Sequence, residues 1–153
     1  MADWSETHTY LDGEWFEGNR PVLGPRSHAF WLGSSVFDGA RAFEGVTPDL
    51  DRHCERLNRS AKAMWLKPLM SVEEMVALTR EGLKRFKPGA ELYIRPTYWA
   101  EISGVGAVAQ DPESTRFLLT IYETPLPDPT KGVSITRSAF VKPLPTMAPQ
   151  AKA

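Results

Sequence analysis

Four groups of residues have types and spacings that could carry chemistry. Lys152 sits in Met147-Ala148-Pro149-Gln150-Ala151-Lys152-Ala153, a run of small residues with little charge. A lysine amine on such a turn forms a Schiff base with an aldehyde when burial or a neighbouring cation lowers its pKa. The plainer alternative is a solvated tail. In Ser35-Val36-Phe37-Asp38-Gly39-Ala40-Arg41, Gly39 would let backbone approach a ligand closely, or simply mark a bulge between apolar anchors. His53-Cys54-Glu55-Arg56-Leu57 sets His53 and Arg56 three apart, on adjacent parts of one helical face. Arg56 could grip a phosphate in a bidentate fork, or stand in solvent. Tyr93-Ile94-Arg95-Pro96 puts Tyr93 and Arg95 on the same face of a strand. An arginine in an apolar strand is unusual unless paired, and a carboxylate ligand and a structural acid are equally good partners for Arg95. No metal site is expected, because there is one cysteine and no second histidine at i+4 from His53.

The elements that must position these residues follow from pattern. Asp12-Gly13, amid alternating residues over 7–16, predicts a hairpin. Residues 27–32 suit a short helical turn. Residues 35–43 look extended, interrupted at Gly39 and anchored by Val36, Phe37 and Phe43. Over 51–65 the spacing of Cys54, Leu57, Ala61 and Met64 predicts a helix with one buried face. Ser71-Val72-Glu73-Glu74 is a capping box that opens a second helix. Its inward face is Met75, Leu78, Leu83 and Phe86, and Pro88-Gly89 stops it. Strands are expected over 91–101 and 115–123, joined by a loop carrying Gly104 and Gly106. The prolines of Pro125-Leu126-Pro127-Asp128-Pro129 have a linker's composition, and a further strand is expected over 133–141. The fold class is therefore α+β. A small N-terminal two-layer domain (1–124), with an antiparallel sheet and two helices, is followed by a linker (125–131). The opening piece and first strand of a truncated second domain come last (132–153).

Composition narrows the function. With 18 basic and 19 acidic residues, a net charge of −1 and no basic stripe, neither nucleic acid nor a membrane surface is an expected partner. A single cysteine cannot form an internal disulfide, and no signal peptide or membrane span is visible. A cytoplasmic protein is therefore expected.

Taken in order, the motifs resemble the N-terminal half of the branched-chain aminotransferases, within the class IV pyridoxal-phosphate enzymes. The resemblance runs from Tyr10-Leu11-Asp12-Gly13 to Lys152-Ala153. It is carried by Ser27-His28-Ala29, Gly33 to Arg41, His53 to Leu57, Tyr93 to Pro96, Gly104-Val105-Gly106-Ala107 and Ala151-Lys152-Ala153. It implies a D-amino-acid-aminotransferase-like fold and a pyridoxal 5′-phosphate cofactor. The implied reaction is transamination between branched-chain L-amino acids and 2-oxoglutarate. Lys152 matches the lysine that holds the cofactor as a Schiff base and moves the substrate proton. Arg56 matches the arginine that holds the cofactor phosphate. Arg95 matches an arginine near the substrate pocket, suited to the distal carboxylate of glutamate. Phe37, Gly39 and Tyr93 match pocket-wall positions. The loop of Gly104, Val105, Gly106 and Ala107 matches one that reaches into a partner subunit's site, which implies a homodimer. Two departures stand out: Leu32 where many relatives have tyrosine, and Asp38 where glutamate is common. D-amino-acid transaminases and aminodeoxychorismate lyases share the scaffold, so both stay open as alternatives, as does a catalytically silent fragment.

Overall fold

A computed structural model describes residues 3–139 and 151–153. Asp12 and Gly13 both take positive φ, +52° and +91°, as a tight two-residue turn between right-twisted strands requires. They join β1 (Thr7–Leu11) to β2 (Glu14–Glu17). A one-and-a-half-turn helix, α1 (His28–Leu32), is closed by Gly33 in the left-handed conformation. The extended stretch after it splits into β3 (Ser35–Phe37) and β4 (Ala40–Ala42). Two longer helices follow, α2 (Leu50–Ala63) and α3 (Val72–Leu83). The expected capping box is formed: Glu74 N–H donates to the Ser71 hydroxyl, and Ser71 N–H donates to the Glu74 carboxylate at 2.7 Å. The long hairpin of β5 (Leu92–Ala100) and β6 (Thr115–Glu123) completes the domain.

The six strands form one antiparallel sheet, ordered β2-β1-β6-β5, with β3 and β4 lying end to end along the far side of β5. Pro96 explains the division. Its carbonyl accepts from Asp38 N–H at 3.1 Å. In an antiparallel ladder a residue's N–H and C=O face the same neighbour, so the donor that proline lacks is missing on this side alone. The β6 side of β5 keeps its register throughout. The ladder opposite Arg95 and Pro96 therefore breaks, and Asp38-Gly39 turns out of it.

Strand alternation gives the sheet two faces. Val36, Ala40, Leu92, Ile94, Tyr98, Leu119 and Ile121 point to one face, and α2 and α3 cover it with Cys54, Leu57, Ala61, Met75 and Leu78. Tyr98 is fully buried there. Its hydroxyl accepts from the amides of Leu69 and Met70 and donates to Asn58, so the segment between the helices is tied to the core. The other face carries Phe37, Arg41, Tyr93, Arg95, Thr97, Leu118, Thr120 and Tyr122, which occupy alternate positions in the same registers. The apolar cluster buried on that side is small, Leu11, Ala29, Trp99 and Leu118, and Thr7, Thr9 and Thr120 are buried on the same side.

The strand expected over 133–141 is not formed across its described residues. Positions 133–139 run irregularly and exposed, and no described strand pairs with them. A lone strand makes none of the ladder bonds that would hold it extended. Positions 140 and 141 lie outside the described residues. Among the described residues no helix is long and apolar enough to cross a membrane.

Candidate active site

The break between β3 and β4 places Asp38 where α2 passes the sheet edge. Its side chain is fully buried, and four donors surround the carboxylate. Arg56 grips it in a fork, Nε to Oδ2 at 2.6 Å and Nη2 to Oδ1 at 2.7 Å. His53 Nδ1 lies 2.9 Å from Oδ1, and Gly39 N–H donates to the same oxygen at 2.7 Å. Lys152 Nζ stands 3.5 Å away. Burial alone would raise the Asp38 pKa. The bonds from Arg56, His53 and Gly39 and the Lys152 charge outweigh it and bring the pKa down to about 2. The same pairing raises Arg56.

Lys152 is seated by its backbone as well as its amine. Its N–H donates to the Ser60 hydroxyl at 3.1 Å, and its carbonyl accepts from Phe37 N–H at 3.0 Å. Nζ lies 5.2 Å from the centre of the Phe37 ring. The two plainer sequence alternatives, a solvated tail for Lys152 and a free helical arginine for Arg56, therefore do not describe these side chains. Beside them is a cavity of about 290 Å³ lined by Arg56, Arg59, Ser60, Ala63 and Ala151. Two guanidiniums and a hydroxyl form a donor set suited to a phosphate dianion.

Gly39 and Tyr93 meet directly. A Cβ built on Gly39 would lie 2.0 Å from the Tyr93 hydroxyl oxygen, so only glycine admits this ring. Tyr93 packs against Tyr122, with ring centres 5.4 Å apart, and the Arg95 guanidinium lies 5.7 Å from the Tyr122 ring. Arg95 is exposed on the open face, with no carboxylate partner among the described residues. Of the two partners that the sequence left open, a structural acid does not stand beside it among the described residues, and a strand buried on one face only lets the guanidinium reach solvent. Phe37 and Arg95 line a single cavity of about 210 Å³ on that face.

The loop of Gly104, Val105, Gly106 and Ala107 lies away from these residues. Val105 is fully exposed, and Gly106 and Ala107 take positive φ. The base of the loop is fixed by the buried His28. One ring nitrogen of His28 lies 2.7 Å from Ser34 Oγ and the other 3.1 Å from the Val108 carbonyl. Ser27 donates to Glu101 at 2.6 Å at the end of β5. The Ser27-His28-Ala29 motif thus positions the loop. Leu32, at the end of α1, is partly exposed.

Sequence reasoning marks Asp38 only as a departure from glutamate, and gives Arg59 and Ser60 no part. An acid beside the glycine that interrupts a strand is the signal that points to Asp38. Arg59 and Ser60 lie one helical turn beyond Arg56.

The profile of the Amino-transferase class IV family matches residues 35–153. An aminotransferase from Brucella abortus, in a crystal structure described as bound to the co-factor PLP, superposes with a TM-score of 0.92 at 50% identity; the match covers 97% of this chain and 53% of that one. A Rickettsia typhi protein described as "Probable branched-chain-amino-acid aminotransferase" is 31% identical over 123 residues, 80% of this chain and 42% of its own length. The aminodeoxychorismate lyase of Bacillus subtilis is 32% identical over 136 residues, 84% of this chain and 46% of its own. The chain spans about half the length of the curated relatives it matches.

Proposed function

The chain belongs to the Amino-transferase class IV family, and on that premise we propose that it is the lysine-bearing part of a pyridoxal-phosphate-dependent transaminase that exchanges an amino group between branched-chain L-amino acids and 2-oxoglutarate. The observation that carries this reading is the convergence of the Lys152 amine and the Arg56 guanidinium on one buried carboxylate, Asp38, next to a cavity lined by Phe37 and Arg95.

Bound pyridoxal 5′-phosphate would supply the electron sink that lets an amino acid give up its Cα proton. Arg56, backed by Asp38, would hold the phosphate, with Arg59 and Ser60 alongside. Asp38 keeps the Arg56 fork from turning, so that its outer edge faces the cavity. The Lys152 amine would bind the cofactor covalently and, once released, would take the proton from the substrate Cα and return it two atoms along, at C4′, the cofactor carbon to which the amine had been bound. Phe37, together with the packed pair Gly39 and Tyr93, would wall off water from an apolar side chain, and Arg95 would face the distal carboxylate of glutamate. A cytoplasmic homodimer, in which Gly104 to Ala107 enter the partner's site, belongs to the same proposal. So does a domain boundary at 125–131.

The test is reductive trapping with pyridoxal 5′-phosphate and borohydride, followed by peptide mass spectrometry. A stoichiometric adduct at Lys152, at least tenfold weaker in Arg56→Ala, is expected. Label scattered over many lysines, or an Arg56→Ala variant that labels normally, would overturn it. The lyase relative at 32% identity favours one second reading, lyase cleavage of aminodeoxychorismate. Leucine and aminodeoxychorismate offered side by side separate the two readings.

A further inference from the structure

The cavity on the open face holds a second guanidinium, one that belongs to none of the four sequence motifs. Arg20 lines it along with Arg95, Asn19, Thr97, Thr120 and Phe37, and no aspartate or glutamate contributes to its wall. Neither arginine has a carboxylate within ion-pair distance among the described residues. Each rests on a ring instead: Arg20 lies 3.8 Å from the centre of Phe16, and Arg95 lies 5.7 Å from that of Tyr122. Stacking orients a guanidinium and leaves its charge and its in-plane donors unspent. Two such groups in one small cavity repel each other until an anion lies between them. Hydroxyl and amide side chains around them add neutral hydrogen-bonding groups.

Phe37 joins this cavity to the lysine. Its side chain lines the cavity, while Lys152 Nζ lies 5.2 Å from its ring centre. A substrate reacting at Lys152 would extend past this ring toward the arginines. The volume, about 210 Å³, is below the roughly 300–1,000 Å³ of pockets for drug-sized ligands, so it suits a side chain. Phe37, Val22 and Leu118 offer a branched alkyl group its apolar contacts. A carboxylate in the same space needs cations.

We propose that Arg20 and Arg95 together clamp the distal carboxylate of a dicarboxylic substrate, and that Arg20 sets how strongly this substrate is preferred over a branched-chain one. The proposal rests on the transaminase reading above and assigns its second substrate class to a two-arginine clamp.

The test compares Arg20→Gln and Arg20→Lys with the parent protein. It uses 2-oxoglutarate and 4-methyl-2-oxopentanoate as alternative amino acceptors, and measures glutarate binding by calorimetry on the same proteins. Arg20→Gln should lower kcat/KM for 2-oxoglutarate about ten- to hundredfold more than for the branched-chain acid, mainly through KM. Arg20→Lys should recover part of the ratio. Glutarate affinity should fall in parallel. An equal loss for both acceptors would place the guanidinium on the α-carboxylate and overturn the proposal, as would no change in the ratio. If the parent protein turned over no branched-chain amino acid, the transaminase reading would fail by itself. The glutarate titration would still decide the clamp: tighter binding to the parent than to Arg20→Gln upholds it, and equal or absent binding sinks it.

Discussion

The two faces of the sheet are built on opposite principles from alternate residues of the same strands. On the helix-covered face, Val36, Ile94, Tyr98, Leu119 and Ile121 are almost wholly excluded from solvent, and they meet α2 and α3 through shape. On the open face, Phe37, Tyr93, Arg95, Thr120 and Tyr122 leave guanidiniums stacked on rings and a cavity without acids. The first face excludes water and contributes stability. The second keeps charge available and contributes recognition. Asp38 stands at the seam, where the break opposite Pro96 lets a residue leave the sheet and take hold of α2.

Neighbouring residues on β6 give the largest test of that contrast. Ile121 points to the helices and Thr120, beside it in sequence, to the open face. Ile121→Ala should destabilise the protein by about 2–5 kcal/mol, from lost burial and the cavity left behind. Thr120→Ala should cost less than about 1 kcal/mol, because it removes little apolar contact. Urea unfolding of both variants checks this. Similar costs would mean that the open face is as much a core as the covered one.

The seam makes a prediction about acid. The Asp38 carboxyl titrates at about 2 in the folded chain, against an ordinary value of 3.8. Above that ordinary value both folded and unfolded chains are ionised, and the full stabilisation is present. As pH falls from about 4 toward 2, the unfolded chain takes up a proton that the folded chain refuses, so stability drains away. The difference corresponds to about 2 kcal/mol. Asp38→Asn should therefore be less stable than the parent by about that amount near pH 7, and the gap should narrow as pH approaches 2. A gap that stayed constant with pH would mean that Asp38 contributes through packing and not through its charge.

Much of the covered face is legible in the amino-acid order alone. The 3.6-residue spacing of Cys54, Leu57 and Ala61, the Ser71 capping box and the Asp12-Gly13 turn each have one strongly favoured local solution, and each takes it. The candidate site is legible only in pieces. Residue type and motif single out Lys152, Arg56, Phe37 and Arg95, but not the sharing of Asp38 by Lys152 and Arg56. That meeting joins residues 38, 56 and 152, and local periodicity says nothing about such separations. Arg20 gives no signal because its cavity is assembled from separate segments of the chain. The expected strand over 133–141 rests on residue preference alone, and preference for strand has little force without a neighbour to pair with.

Gly82 gives the smallest and sharpest test, since local preference and packing pull in opposite directions there. A glycine inside α3 costs about 1 kcal/mol relative to alanine by intrinsic preference. A Cβ at this position, however, would lie 2.3 Å from the Trp15 ring and 2.7 Å from Ile121. Trp15 comes from the β1–β2 hairpin, so the missing methyl is what lets that hairpin close over α3, with Arg85 stacked 4.9 Å from the same ring. Overpacking of this kind costs typically about 1–3 kcal/mol. Gly82→Ala should therefore destabilise by a net amount of up to about 2 kcal/mol. In a Trp15→Leu background, where the ring is gone and the Ile121 contact remains, the same change should cost clearly less. A double-mutant cycle by urea unfolding measures that difference. If Gly82→Ala stabilised the protein with Trp15 intact, packing on the covered face would be looser than these contacts describe, and the contrast between the two faces would lose its firmer half.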